Sequence, residues 1–291
     1  MNPAPMHDGQ LTVTVDDVRA LIAEQFPRWS HEPVAALMTS GTVNAIFRVG
    51  DRVAARFPLV VSDADAARRD LETEAASAGE LASATSVPTP VVLAIGDPGD
   101  DYPGPWTLST WLDGTPATPD SVAESTEFAL ELAAFILELR AIPVAGRLFS
   151  GRGRGGDLRA HDDWMRICLD KSTGLLDVDA LARAWATFRE LPRRSPDVMS
   201  HTDLIPANLL VEHGRLVGVL DVGGFGPADP ALDLVAAWHV FDEGARHELR
   251  GALGSADLEW ARGAAWAFAQ AMGLVWYYRE SNPTMSALGR S

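Results

Sequence analysis

The stretch SHTDLIPANLLVEHGRLVGVLDVGGFGPADP, residues 200–230, gathers His201, Asp203, Asn208 and Asp221. Polar side chains leading into an apolar strand are costly to bury unless they meet partners or a ligand. Asp203 and Asn208 straddle LIPA, a turn-like insert whose proline discourages a helix. NLLVEH and GRLVGVLD read as the two strands of a hairpin, with Asn208 and Asp221 at their outer ends and therefore close together. Gly223 and Gly224 then allow the chain to turn away. An amide oxygen beside a carboxylate suits a hard divalent ion such as Mg2+. Asp203, just ahead of that pair, is placed as a base or an orienting group.

A second candidate sits in VAARFP, residues 53–58. Strand alternation puts Ala54 and Arg56 on one face and Val53 and Ala55 on the other. Arg56 is then either a solvated edge charge or a grip on a bound anion. The chain has a single lysine, Lys171, so a site that needs a cation must almost always take an arginine. Other signals are weaker. GRGRGG at 151–156 matches G-x-G-x-x-G on paper, but a helix and IPVAGRLF precede it, and the dinucleotide fingerprint requires a strand there. No G-x-x-x-x-G-K-[ST] occurs, because Asp170 precedes Lys171. A metal-dependent hydrolase built on H-x-D needs further ligands nearby. His213, in a hairpin turn, and the distant His239 supply them poorly.

The elements that must position these residues fall into two parts. VDDVRALIAEQF repeats apolar residues at helical spacing, with Asp16 or Asp17 in capping position. VAALM, NAIFRV and RVAARF follow as three strands separated by TSGT and GD, and residues 64–84 form a long alanine-rich helix. VVLAI and WTLSTW add two strands, which makes a five-stranded antiparallel sheet with one long helix. Beyond DGTPATP the pattern turns helical: EFALELAAFILELRAI, segments near 160–172 and 178–190, and helices beginning near Pro230, Glu243 and Asp257. The catalytic-looking hairpin interrupts them. The boundary falls in 112–118, so the expected division is 1–111 and 112–291.

Composition narrows the field. The 291 residues include nine Trp and ten Phe, enough for a sizeable core. Twenty-four basic against 40 acidic residues give a net charge of -16, which argues against nucleic acid as a partner. The single cysteine, Cys168, cannot form a disulfide within the chain and reads as a small buried residue, favouring a reducing compartment. The N-terminus has no basic region followed by an apolar run, and no apolar stretch reaches membrane-spanning length. A cytoplasmic protein with no membrane partner, monomer or homodimer, is the expectation.

The order HTDLIPANLL…GVLDVGGFGPADPALDL resembles the catalytic segment of the aminoglycoside phosphotransferase family, protein-kinase-like phosphotransferases that act on small molecules. It fits eukaryotic-type protein kinases less well: the run here is Asp221-Val222-Gly223, and no A-P-E is present. The resemblance implies an α+β, protein-kinase-like bilobal fold, with a nucleotide-binding first lobe and a mainly helical second lobe carrying the catalytic β-hairpin. It implies ATP or GTP and Mg2+ as cofactors, with a small-molecule acceptor. Asp203 would accept or orient the proton of the acceptor hydroxyl, and Asn208 and Asp221 would hold the metal against the nucleotide phosphates. His201 and Asp229 would brace the catalytic loop, Asp229 also reading as an N-cap ahead of Pro230. In the first lobe, Ser40, Gly41 and Thr42 of TSGT occupy the place of the phosphate-covering loop. VAAR stands where kinases carry V-A-I-K, so Ala54 would pack on the base and Arg56 would replace the lysine, paired with Glu74 or, as second choice, Glu72. Backbone groups of Thr110 and Leu112 would meet the adenine edge.

By the same resemblance the acceptor is an antibiotic hydroxyl, an aminoglycoside first and a macrolide second. Asp162, Asp163, Asp242 and Glu243 are candidate contacts for a polycation, and Trp238, Trp266 and residues 276–278 for a macrolide. Two alternatives remain open: a metabolic kinase of the same fold acting on a sugar, amino alcohol or amino acid, and a nucleotide-binding module without turnover.

Overall fold

A computed structural model describes residues 10–37, 44–280 and 282–290. The chain divides into two compact units, one built from residues up to Ser83 together with Thr89–Asp113, the other from Ala84–Pro88 and Gly114 onward.

The first unit opens with helix α1 (Val15–Gln25). Its N-cap is Thr14, not Asp16 or Asp17. Thr14 is extended, its hydroxyl accepts from the Asp17 N–H at 3.3 Å, and Asp17 returns the favour by accepting from the Thr14 N–H at 2.7 Å. That reciprocal pair is a capping box, which places the acidic residue three positions into the helix. Strands β1 (Val34–Ala36), β2 (Asn44–Val49) and β3 (Val53–Pro58) follow, then helix α2 (Ala64–Ala84) and strands β4 (Val92–Gly96) and β5 (Trp106–Thr110). The sheet is antiparallel throughout, in the order β1-β2-β3-β5-β4. The β2–β3 turn passes through Gly50 at φ +58°, where a side chain would strike Glu32.

β3 is the middle strand. Its odd-numbered residues Val53, Ala55 and Phe57 enter a core shared with Val18, Leu21 and Ile22 of α1. Phe57 stacks on Trp106 at 4.9 Å and meets Tyr102 edge-on at 5.0 Å. Burying such aromatic surface contributes roughly 2–3 kcal/mol per side chain. It also fixes the register that turns Ala54 and Arg56 to the opposite face.

The second unit contains β6 (Thr115–Pro116), α3 (Pro119–Val122), α4 (Thr126–Ala141), α5 (Asp162–Lys171), α6 (Val178–Phe188), β7 (Val198–Ser200), β8 (Leu209–Glu212), β9 (Arg215–Val219) and β10 (Gly226–Ala228). Helices α7 (Val235–Val240), α8 (Glu243–Leu253), α9 (Asp257–Tyr277) and α10 (Pro283–Leu288) complete it. Phe128, Leu132, Phe135, Ile136 and Leu139 of α4 are fully buried, which matches its helical apolar spacing. β8 and β9 form the expected hairpin, extended by β6, while β7 pairs with β10. The helix expected from Pro230 begins only at Val235, after a single 3-10 turn at Leu232–Leu234. Asp229 therefore does not cap it.

Candidate functional site

In the first unit, Arg56 points Nη1 at Glu74 Oε1 from 2.7 Å, with the two side chains 28% and 21% exposed. Glu72 is engaged elsewhere, 3.2 Å from Arg68 one helical turn away. The spacing of α2 explains the difference: Glu74 faces the sheet, whereas Glu72 lies on the solvated side with its i−4 partner. Ala54, on the same face of β3, is buried and sits opposite Arg48 and Ser109. The Thr110 N–H is committed to Val91 O at 2.9 Å, and its hydroxyl accepts from Val91 N. Leu112 lies just beyond β5. Ser40, Gly41 and Thr42 lie outside the described residues.

In the second unit the loop that carries His201 and Asp203 runs from β7 to β8. Its bend is held by Asp233, which accepts from Ser200 Oγ at 2.8 Å and from the backbone N–H groups of His201 and Thr202. Burial pushes the Asp233 carboxyl above its usual range despite these donors. Thr202 takes a left-handed conformation at φ 73°, a strained shape for a β-branched residue that the Asp233 contacts sustain. His201 is fully buried. Its Nε2 donates to Leu220 O at 2.9 Å and its Nδ1 accepts from Asp203 N at 3.3 Å. Both ring nitrogens are thus spent on backbone, which ties the loop to the far end of β9 and leaves His201 no role as a base.

Asp203 is the most crowded carboxylate of the loop. Arg154 Nη2 reaches its Oδ1 at 2.6 Å, and Gln270 Nε2 of α9 donates to the same oxygen at 2.9 Å. Asn208 Nδ2 donates to Oδ2 at 3.2 Å and to the Asp203 carbonyl at 2.9 Å. Neither Arg154 nor Gln270 was among the residues expected at the site. Arg154 belongs to the GRGRGG loop, whose arginines were overlooked once the dinucleotide pattern was set aside. Gln270 is the polar residue within the apolar run AAWAFAQAMGLVW of α9, and that mismatch is its signal. Beside it, the His239 imidazole is pushed down to about 4, chiefly by burial and then by the Arg154 charge, with Gln270 and Asp203 opposing.

Asn208 and Asp221 are brought together as the hairpin spacing requires. Leu209 pairs with Val219, and Leu220 N donates to Asn208 O at 2.7 Å, one residue before Asp221. Asp221 is exposed and left-handed, at φ 59° and ψ 58°. With Nδ2 of Asn208 turned to Asp203, the side chain has its amide oxygen to offer as a metal ligand. An amide oxygen and a carboxylate are hard ligands that fit Mg2+, which commonly takes one or two protein oxygens and completes its shell with water and phosphate. No group of three or more His, Cys, Asp or Glu placed to hold a metal occurs among the described residues.

Asp229 is 2% exposed. Its Oδ2 accepts from Arg262 Nε at 2.8 Å and Trp266 Nε1 at 3.1 Å, and its Oδ1 from Ala231 N at 3.1 Å. It braces the turn after β10 both by this ion pair and by the cap-like bond from Ala231 N. The acids singled out for a polycation are mostly occupied. Asp162 is held well below the usual carboxylate range, chiefly by its hydrogen bonds with Arg189, and it also accepts from Trp185. Asp242 caps α8 through Ala245 N. Asp163 is exposed beside Arg166. Trp266 is core, and Trp238 packs on Trp260 at 4.9 Å.

Residues 35–269 match the family model described as the phosphotransferase enzyme family, and the chain belongs to that family. It is 29% identical over 201 residues to an aminoglycoside 3'-phosphotransferase of Escherichia coli, covering 62% of this chain and 66% of that protein. An aminoglycoside 3'-phosphotransferase of Salmonella typhimurium is 29% identical over 148 residues, 47% of this chain and 53% of that protein. The chain thus spans between about half and two thirds of the length of the curated relatives it matches. Among solved structures, the GDP and kanamycin complex of APH(2")-IIia superimposes with a TM-score of 0.72 at 22% identity, over 94% of this chain and 95% of that one. The apoenzyme of a macrolide 2'-phosphotransferase from Brachybacterium faecium gives 0.66 at 18% identity, over 94% and 97%. The fold is therefore that of the kinase-like antibiotic phosphotransferases.

Proposed function

We propose that this chain is a Mg2+-dependent O-phosphotransferase that moves the γ-phosphoryl group of ATP or GTP to a hydroxyl of an aminoglycoside antibiotic. The observation that carries this reading is the grouping of Asp203, Asn208 and Asp221 on one loop and hairpin, with His201 spent on holding the loop in place. Its support in sequence is the similarity to aminoglycoside 3'-phosphotransferases. Use of ATP or GTP supports a cytoplasmic location.

In this reading the acceptor O–H gives its proton to the Asp203 carboxylate as the new O–P bond forms. The bond from the γ-phosphorus to the bridging oxygen breaks, and the nucleoside diphosphate leaves. Asn208 and Asp221 would hold Mg2+, which when bound would supply positive charge against the phosphates. Arg56, oriented by Glu74, contacts the phosphates as a bidentate cation where a lysine would act as a point charge. Ala54 packs on the base. Backbone groups at Thr110 and Leu112 supply its polar edge, with the carbonyl of Thr110 favoured because its N–H is already committed.

The test is a phosphotransfer screen with radiolabelled ATP and GTP and Mg2+ against aminoglycosides, macrolides and small hydroxylated metabolites, with Asp203→Ala as control. Labelled aminoglycoside, absent with the variant, is the expected result. Label only in a sugar or amino alcohol would make the chain a metabolic kinase. Nucleotide binding without transfer to any acceptor would reduce it to a binding module.

A further inference from the structure

The carboxylate of Asp203 has four lone-pair positions in its plane, two on each oxygen. Arg154 and Gln270 fill both positions on Oδ1. Asn208 fills one on Oδ2. Among the described residues this leaves a single acceptor position, on Oδ2. We infer that Arg154 is a positioning residue of the phosphotransfer site: with Gln270 it pins Oδ1, so that the acceptor hydroxyl meets Asp203 only at Oδ2. The inference rests on the phosphotransferase reading and adds to it an atom and a residue from a different part of the chain.

The loop that carries Arg154 is built to hold it still. Gly155 O accepts from Asp229 N at 2.8 Å, and Gly156 O accepts from Arg262 Nη2 at 3.3 Å. On the other side, Arg152 N donates to Ser150 Oγ at 3.2 Å. Gly155 lies at φ +110°, and a side chain there would come within 2.8 Å of the Ala228 Cβ and 3.0 Å of Leu232. Glycine is thus required for the loop to dock against β10. The guanidinium is delivered from a backbone fixed on both sides. The Arg154 side chain is 26% exposed and that of Asp203 31%, so the pair is reached by solvent and by an acceptor. An ion pair that solvent reaches contributes modestly to stability. Its location on the candidate base makes orientation the property it controls, and a misplacement of about 1 Å costs about 100-fold in rate.

The test is Arg154→Ala, assayed for transfer to the acceptor found in the screen and for single-turnover release of γ-phosphate to water, which needs no acceptor. Expected is a fall of about 100-fold in kcat with nucleotide KM unchanged. Millimolar guanidinium should restore part of it, while sodium chloride at equal ionic strength should not. An unchanged kcat, or a loss that guanidinium does not restore, overturns the proposal. If the unmodified protein neither transfers nor hydrolyses, it is the phosphotransferase reading that has failed. The crystal structure of Arg154→Ala then decides the positioning separately: an Asp203 carboxylate turned from Gln270 upholds it, and an unmoved one overturns it.

Discussion

Arg262 of α9 and Asp229, on the turn after β10, form an ion pair in which Nε lies 2.8 Å from Oδ2 and both side chains are almost wholly removed from solvent. Arg262 also donates to the carbonyls of Leu191 and Gly156, so one guanidinium satisfies three separate chain segments. Removing one partner of such a pair strands a buried charge, at a cost of about 3–5 kcal/mol. Arg262→Leu should lower the free energy of unfolding by that amount in a denaturant titration. The double variant Arg262→Leu/Asp229→Leu should recover part of it, because no lone carboxylate is left behind. A single variant within about 1 kcal/mol of the parent would contradict the account.

Arg56→Ala should raise the nucleotide KM by about 10- to 100-fold, the range expected when a charge-assisted contact worth about 1.5–3 kcal/mol is lost. The melting temperature should hardly move, since Arg56 packs on the face of β3 opposite the Phe57–Trp106 core. Glu74→Gln should act in the same direction and less strongly. Normal nucleotide kinetics in Arg56→Ala would return that side chain to a merely structural pairing.

Asp203→Asn should reduce transfer by about 100- to 10,000-fold while leaving nucleotide affinity near the parent value, the pattern of a lost proton acceptor. Binding calorimetry with a non-hydrolysable nucleotide and Mg2+ checks the second half.

His239 gives a pH prediction. Its folded-state value of about 4 lies below the ordinary value of 6.5, chiefly because the ring is buried. Between those values the unfolded chain binds a proton that the folded one refuses, so stability rises with pH across this window. The contribution is fully present above pH 6.5 and is lost as pH falls through about 4, in total about 3 kcal/mol. His239→Gln should flatten the acid side of the stability profile between those limits, read as the denaturation midpoint against pH.

The hairpin, the run of three strands that includes VAARFP and the count of five strands could be read from the sequence because each rests on local pattern: alternation, turn residues and helical spacing. The β3–β5 pairing that makes VAARFP central joins residues too far apart for that. Nor could the contacts that organise Asp203 be read this way. Arg154 lies 49 residues from it and Gln270 lies 67, and no periodicity links positions so far apart. β6, β7 and β10 are two or three residues long, too short for alternation to register. Asp229-Pro230 carries the chemistry of a helix start and Asp229 does accept from Ala231 N, but the chain makes a 3-10 turn at Leu232–Leu234 before α7 begins.

The left-handed backbone at Asp221 has a consequence for how this position can change. Only glycine, asparagine and aspartate enter that conformation at little cost. Single-base changes in an aspartate codon reach both of the other two, so mutation readily supplies residues of the right shape at this point. Neither carries the negative charge. A library sorted for folded protein should therefore retain all three residues at 221, and one sorted for phosphate transfer only aspartate. The difference between the two surviving populations would separate what the hairpin demands of this codon from what the chemistry demands.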